Sequence, residues 1–205
     1  MTAPLSVGVL ASGRGSNLRA LLAACERHEI RARVSLVISN LPDAPALEHA
    51  AAHGVPSLVV SHKAFGKDRG AFEVALTEAL EAHGADLVVL AGFMRILSPV
   101  FVTRWSGRLL NIHPSLLPAF PGLDAQAQAL EAGVRVAGCT VHLGDAGTDT
   151  GPIVAQAAVP VHEDDTVETL SARILVEEHR LLPRVVGWFA EGRVHLDGRR
   201  ARVTP

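Results

Sequence analysis

Cysteine is scarce in this chain, and its scarcity removes several chemistries at once. Of 205 residues only Cys25 and Cys139 carry thiols. Each lies among small or apolar neighbours, and no Cys-x-x-Cys spacing occurs, so a disulfide framework, a thiolate metal site and a dithiol redox motif are all disfavoured. Both read as reduced core thiols. Charge is equally modest: charged residues make up 20% and the formal net charge is -2, which leaves no general polyanion-binding surface and argues against nucleic acid as a partner. A hydrophobic share of 48% rules out a disordered chain. The longest apolar run, Leu87 to Met94, is far too short to span a bilayer. Met1-Thr2-Ala3-Pro4 lacks a basic flank, and the apolar stretch behind it breaks at Ser12-Gly13, too early for a signal peptide. A cytoplasmic protein with no membrane partner is therefore expected. The ten histidines scatter without a cluster resembling a zinc site, so no metal is expected. Tyrosine is absent and only Lys63 and Lys67 are lysine; neither bias carries a functional meaning.

What is present is an alternation of elements. A chain of 205 residues suffices for one α/β domain with a substantial core and is too short for two ordinary ones. Leu5 to Leu10 is a compact apolar run that stops at Ser12-Gly13-Arg14-Gly15-Ser16, after which Leu18, Leu21, Leu22 and Cys25 recur at helical spacing. Val34 to Ser39 and Ser57 to Val60 read as short strands around a helical pattern from Ala46 to His53 that ends at Gly54. Phe72, Leu76, Ala79, Leu80 and His83 mark one helix face, closed by Gly84 and followed by the buried-type strand Leu87 to Ala91. Ser98-Pro99 opens a short helix with a cap and a first-turn proline, and Arg108 to Ile112 returns as a strand. A proline-rich loop, Pro114 to Gly122, leads to a helix near Asp124 to Ala132. Strands at Cys139 to Leu143 and Ile153 to Val159 then extend the sheet, parallel or antiparallel. Asp165-Thr166-Val167-Glu168 resembles a capping box ahead of a long amphipathic helix marked by Leu170, Ile174, Leu181, Val185 and Trp188. Pro183 should kink or break that helix, and the tail from Gly192 reads as no more than a frayed hairpin. The βαβ repetition implies a single-domain α/β fold, a mostly parallel Rossmann-like sheet with helices on both faces.

Residues 111 to 118 read Asn-Ile-His-Pro-Ser-Leu-Leu-Pro, and a second polar cluster, Asp149-Thr150-Gly151-Pro152, follows about one βα unit later. Asn111 and His113 stand two apart where Leu109-Leu110 ends, so strand alternation puts both side chains on one face. An amide donor, a titratable imidazole and a separate carboxylate are the kit for acyl transfer. The plainer alternative is a satisfied core histidine beside a proline-rich loop. Asp149 follows Gly144-Asp145-Ala146-Gly147-Thr148, a turned or flexible loop at strand ends, where α/β ligand sites gather; its plainer alternative is a solvated carboxylate. His142, in an alternating strand, reads as a packed or hydrogen-bonded imidazole that can line the cleft. The turn Gly13-Arg14-Gly15-Ser16-Asn17-Leu18 lacks the third glycine of a dinucleotide fingerprint, where Leu18 stands. It still offers free amides at a helix N-terminus, a natural phosphate site, or it is an ordinary strand-to-helix turn with a Ser or Asn cap.

Taken together, these residues make the chain resemble the folate-dependent phosphoribosylglycinamide formyltransferases along nearly its whole length. The resemblance rests on Ala91-Gly92-Phe93-Met94-Arg95-Ile96-Leu97-Ser98-Pro99, on Leu110 to Pro118, on Pro121-Gly122, on Asp149-x-Gly151-Pro152, and on Glu178-His179 ahead of Trp188-Phe189. The Ser-Leu-Leu-Pro element is shared with other 10-formyltetrahydrofolate enzymes and so identifies the fold before the acceptor. Methionyl-tRNA formyltransferase and formyltetrahydrofolate deformylase resemble this core but carry further domains, which a chain of 205 residues is not expected to hold. The resemblance implies transfer of a formyl group from 10-formyltetrahydrofolate, a cosubstrate and not a tightly bound cofactor, to 5-phosphoribosylglycinamide by a monomer or homodimer. It implies catalytic roles for Asn111, His113 and Asp149, and ribonucleotide binding by Gly15, Ser16, Asn17 and Glu178. It implies folate binding by Arg69, Met94, Arg95, Ile96, Leu97, Asn111, Asp145 and Asp149. The N-terminal half is expected to bind phosphate, and the C-terminal half to bind folate and carry the chemistry. Asp124-Ala125-Gln126 departs from the histidine-containing sequence that many members carry there, which bears on any substrate contact at that helix start. Two rivals remain: a deformylase that uses water as nucleophile on the same residues, and a non-catalytic nucleotide-binding module, which has no use for Asn111, His113 and Asp149 together.

Overall fold

In the computed structural model, which describes residues 3–205, the first apolar run forms β1 (Leu5–Ala11), buried at every residue after Leu5. It pairs in parallel with β2 (Ala32–Ser39) on one side and β4 (Leu87–Leu90) on the other. β3 (Ser57–Val59) and β5 (Leu109–His113) continue the parallel sheet outward. β6 (Val136–Leu143) and β7 (Ile153–Pro160) complete it antiparallel, in the order β3-β2-β1-β4-β5-β6-β7. The sheet is thus mostly parallel, and its last two strands take the antiparallel alternative.

Helices cover both faces because each strand alternates. Val7, Val9 and Ala11 point to a core shared with α1 (Ser16–Glu26), α2 (Ala46–Ala52), α5 (Ala125–Glu131) and α6 (Val167–Ala190). Leu10, Leu36 and Ile38 point to the other, shared with α3 (Arg69–Ala82) and α4 (Pro99–Arg104). Leu18 and Leu21 of α1 and Leu76 and Leu80 of α3 are fully buried, each contributing about 2 kcal/mol of hydrophobic stabilisation. α4 is capped as its Ser-Pro start requires: Ser98 accepts from the Phe101 amide with Pro99 in the first turn.

Three local expectations shift. The capping box of α6 is built one residue later, by Thr166 and Thr169, because Thr169 and not Glu168 stands three residues after the capping side chain. Pro183 lies inside α6 without breaking it. Leu181, Leu182, Val185 and Val186 are buried on either side of the proline, so packing holds the helix through the missing backbone donor. The tail forms an ordered hairpin, β8 (Val194–Asp197) and β9 (Arg200–Val203), with β9 lying against β7.

The strand order reverses between β1 and β4, so the crevice outside their C-terminal ends is where this architecture collects ligands. The turn after β1, the loop after β4 and the end of β5 all open there. No helix among the described residues is long and apolar enough to cross a membrane.

Candidate active site

Asp149 is the centre of a polar cluster at the end of β5. Its backbone is left-handed, φ 56°, a conformation in which Asp is several-fold enriched over most residues. The following Gly151 is required by space, since a Cβ there would lie 1.7 Å from the Leu143 carbonyl oxygen. This tight return brings the Asp149 carboxylate back over the sheet with its side chain only 11% exposed. One oxygen, Oδ2, accepts from the Gly122 amide at 2.8 Å and lies 3.3 Å from His113 Nδ1. The other, Oδ1, accepts from Asn111 Nδ2 at 3.3 Å and lies 3.5 Å from His142 Nε2. Burial pushes the Asp149 pKa up, but the hydrogen bonds from His142 and Gly122 and the charges of His113 and His142 outweigh it, leaving the carboxyl below its ordinary value.

Asn111 and His113 therefore share a face, as alternation requires, and both converge on the distant carboxylate. His113 is buried, and its Nε2 lies 3.0 Å from the Phe120 carbonyl oxygen. Both ring nitrogens face acceptors, so only the imidazolium donates to both at once. Asn111 Nδ2 also lies 3.1 Å from His142 Nε2, whose other nitrogen lies 3.0 Å from the Leu143 carbonyl. His142 Nε2 thus lies between the Asn111 amide and Asp149 Oδ1, while Nδ1 faces the Leu143 carbonyl. The donors of the cluster thus point at one another and at Asp149. A substrate oxygen that is to receive them must take them over from protein acceptors.

The turn after β1 is tightly packed. Gly15 has φ 70° and begins α1 without any side-chain cap, so the first-turn amides of this helix lack a side-chain acceptor. A Cβ on Gly15 would meet Ala46 Cα at 2.7 Å, so the glycine also lets α2 close against the turn. Ser16 is half-buried. Asn17 does not face solvent: its Nδ2 donates to Glu178 Oε2 of α6 at 2.7 Å. Burial raises the Glu178 pKa, partly offset by that hydrogen bond. The pairing of Asn17 with Glu178, 161 positions apart, brings three of the expected ribonucleotide residues and Glu178 to one corner.

The loop after β4 exposes apolar side chains, with Met94 at 67% and Ile96 at 74% of their surface accessible. Leu123, across the cluster in sequence, is equally bare. Arg69 approaches this loop, but its guanidinium is engaged: Nε donates to Glu73 Oε1 at 3.0 Å and Nη2 donates to the Ile96 carbonyl. Asp145 directs its carboxylate into its own loop, accepting from the Gly147 amide at 3.0 Å and Thr150 Oγ1 at 2.7 Å. Its side chain shapes the loop that carries Asp149. Asp124, in the departing segment, is left-handed with φ 56° and gives α5 no side-chain cap.

Several contributors escape sequence reasoning. The Gly122 amide and Phe120 carbonyl are backbone groups, and nothing in a residue's type announces them. Ser12 Oγ accepts from the Met94 amide at 2.8 Å and donates to Asn40 Oδ1 at 2.6 Å. Arg199, at the tip of the C-terminal hairpin, donates to the Thr150 carbonyl at 2.9 Å. His49 on α2 and His53 at its C-cap stand one turn apart, yet His53 Nδ1 lies 2.9 Å from the His49 carbonyl, and among the described residues no group of three or more His, Cys, Asp or Glu is placed to hold a metal ion. A recess of about 420 Å³ between α1 and α6, bordered by Ile30, Arg184 and Trp188, touches none of the candidate residues.

Comparison with known proteins identifies the family. The formyl transferase family model matches residues 5–186. A phosphoribosylglycinamide formyltransferase of Escherichia coli is 44% identical over 192 residues, covering 94% of this chain and 90% of the relative. The trifunctional purine biosynthetic protein adenosine-3 of Drosophila melanogaster is 52% identical over 188 residues, and this chain spans only 14% of its length. The crystal structure of glycinamide ribonucleotide transformylase 1 from Symbiobacterium toebii superposes with a TM-score of 0.96 at 54% identity, over 98% of this chain and 95% of that one. A formyltetrahydrofolate deformylase from Pseudomonas syringae shares the fold with a TM-score of 0.92 at 28% identity, over all of this chain and 67% of that one. The extent of these matches shows that the chain belongs to the formyl transferase family and groups with its phosphoribosylglycinamide formyltransferases.

Proposed function

We propose that the protein transfers the formyl group of 10-formyltetrahydrofolate to the amine of 5-phosphoribosylglycinamide, a step of de novo purine biosynthesis. The observation that carries this reading is the convergence of Asn111 and His113 on the partly buried Asp149, in a chain 44% identical to a phosphoribosylglycinamide formyltransferase over 90% of that relative. The N-terminal half would hold the ribonucleotide phosphate on the amides at Gly15, Ser16 and Asn17, with Glu178 at its ribose or glycinamide end. Arg69, Met94, Arg95, Ile96 and Leu97 would border the folate, whose glutamate carboxylate suits Arg69. Asp145 would contribute its backbone to the pterin. The C-terminal half carries the chemistry.

In this reading the amine nitrogen attacks the formyl carbon, and charge develops on the formyl oxygen. Asn111 and the His113 imidazolium donate to that oxygen. Asp149 pairs with His113 and passes the amine proton, through water, toward the folate nitrogen as the carbon–nitrogen bond breaks.

The shared fold with a deformylase makes the acceptor the decisive test. With 10-formyltetrahydrofolate alone, formate release is expected to be slow. Adding 5-phosphoribosylglycinamide should switch on rapid formation of tetrahydrofolate and formylated ribonucleotide in equal amounts, because the phosphate turn positions the amine. Glycinamide lacking its ribose phosphate should substitute poorly, the remote binding energy being absent. Rapid formate production independent of any amine would identify a hydrolase instead.

A further inference from the structure

The loop that joins β4 to α4 has exposed apolar side chains at its centre and polar anchors at both ends. At its front, the Ser12 amide donates to the Gly92 carbonyl at 3.1 Å and Ser12 Oγ accepts from the Met94 amide. At its back stands Glu73, an acid on α3 that the chemistry above does not use. Glu73 is only 5% exposed. Its Oε1 accepts from the Ser98 amide at 2.6 Å and from Arg69 Nε at 3.0 Å, and its Oε2 accepts from Ser98 Oγ. Arg69 continues the chain of contacts by donating to the Ile96 carbonyl. One buried carboxyl thereby fixes Ser98 directly and Ile96 through a single intervening guanidinium.

We infer that Glu73 is a positioning residue for the folate subsite: it sets the path of residues 94–98 and orients Arg69, without touching either substrate. The inference rests on the folate assignment of that loop. Two physical points support it. A carboxyl this buried is retained at a desolvation penalty unless its donors are well placed, and here three donors converge on it. Each of those donors belongs to the folate loop or to the arginine beside it.

The consequence is a specific pattern among substitutions. Glu73→Leu removes every acceptor, leaving the Ser98 amide unpaired and Arg69 held only through the Ile96 carbonyl, which should raise the KM for 10-formyltetrahydrofolate by about tenfold or more. The KM for 5-phosphoribosylglycinamide and kcat at saturation should each change by less than about threefold. Glu73→Gln should restore near-normal behaviour. Its amide oxygen can still accept from Ser98 N and Arg69 Nε, and its NH₂ can donate to Ser98 Oγ, which is free to reverse its role. A residue that moved a proton or contacted folate by charge would lose as much as Gln as it does as Leu. Should Glu73→Leu not fold, Ser98→Ala removes one of the three donors and is expected to show the same selectivity, weaker in size.

The experiment is steady-state kinetics of the full chain with both substrates varied, together with hydrogen exchange of residues 92–98, which should quicken in Glu73→Leu and Ser98→Ala but not in Glu73→Gln. Equal loss in Glu73→Gln and Glu73→Leu, or equal weakening of both substrates, would overturn the inference. Ile96→Ala separates it from the reading beneath. If Ile96→Ala leaves the folate KM unchanged, the folate assignment fails and takes the inference with it. If Ile96→Ala raises that KM while Glu73→Leu and Ser98→Ala do not, only the positioning role is lost.

Discussion

Replacing Asp149 with asparagine is the most informative perturbation, because it keeps the shape and removes the charge on which the cluster converges. Asn must place its NH₂ group somewhere. At the Oδ2 position it would face the Gly122 amide at 2.8 Å and His113 Nδ1 at 3.3 Å, both donors. At the Oδ1 position it would face the Asn111 amide at 3.3 Å and His142. The second orientation sacrifices less, so the fold is expected to survive with a loss of about 1–2 kcal/mol in hydrogen bonding. The electrostatic loss is larger. An anion 3.3 Å from His113 is attracted to the imidazolium with a gross energy of about 5 kcal/mol at an effective dielectric near 20. A hundredfold fall in kcat corresponds to about 2.7 kcal/mol, so losing a little over half of that gross term suffices, and a decrease on the order of a hundredfold or more is expected. The assay is formyl transfer at saturating concentrations of both substrates, with a thermal melt on the same sample. The melt carries a sign of its own. Because the Asp149 pKa is lowered in the folded protein, its contribution to stability is present above the ordinary carboxylate pKa and is lost as pH falls through the lowered value. The melting gap between wild type and Asp149→Asn should therefore be full at neutral pH and shrink in acid. Asn111→Ala combined with Asp149→Asn should lose far less than the product of the two single losses, since both act on one oxygen. Turnover within about threefold of wild type in folded Asp149→Asn, or a melting gap that does not depend on pH, would refute the reasoning.

Glu178→Gln is expected to trade function for stability. The raised Glu178 pKa means that the acid's contribution is present below its ordinary pKa and is lost as pH rises through the raised value. Glutamine escapes that loss while still accepting from Asn17, so the variant should melt above wild type at neutral pH, with the gap closing in acid. Its affinity for 5-phosphoribosylglycinamide by calorimetry should fall while folate affinity holds; a lower melting temperature at neutral pH would contradict the burial argument. Gly15→Ala tests the turn after β1. With φ 70° and a Cβ 2.7 Å from Ala46 Cα, the change should destabilise by about 2 kcal/mol, a fall of roughly 4–8 °C in Tm. An unchanged melt would show that α2 yields freely there.

Much of this architecture is legible in the chain because it is written in local chemistry. The Ser98-Pro99 helix start, the apolar runs of β1 and β4, and the two-residue spacing of Asn111 and His113 all express rules that act within a few residues. Pro183 shows the opposite. A local rule expects a kink or a break, but the buried leucines and valines around it keep α6 continuous, and such packing depends on partners distant in sequence. Arg69 illustrates a subtler gap. Its type suggests a carboxylate partner, which is correct, but the first partner is Glu73 one helical turn away and not a ligand. Asn17 likewise offers an amide at the glycine-rich turn after β1, yet its side chain is directed to Glu178. Backbone contributors such as Phe120 and Gly122 have no sequence signature at all.

The closed form of the cluster bears on how formyl transfer would gain its rate. Asn111 Nδ2 is directed at Asp149 and His142, and His113 is flanked by Asp149 and the Phe120 carbonyl. A neutral formyl oxygen is a weak acceptor and competes poorly with a carboxylate for these donors. The oxygen of the tetrahedral intermediate carries a charge and competes far better. If the donors are handed over only as that charge develops, the site interacts more strongly with the transition state than with the bound substrate, which is the condition for raising kcat and not merely lowering KM. The Phe120 carbonyl then matters as the acceptor that must be displaced. Its residue is held at φ 53° between the cis Leu117-Pro118 bond and Gly122, in a loop whose backbone carbonyl meets His113.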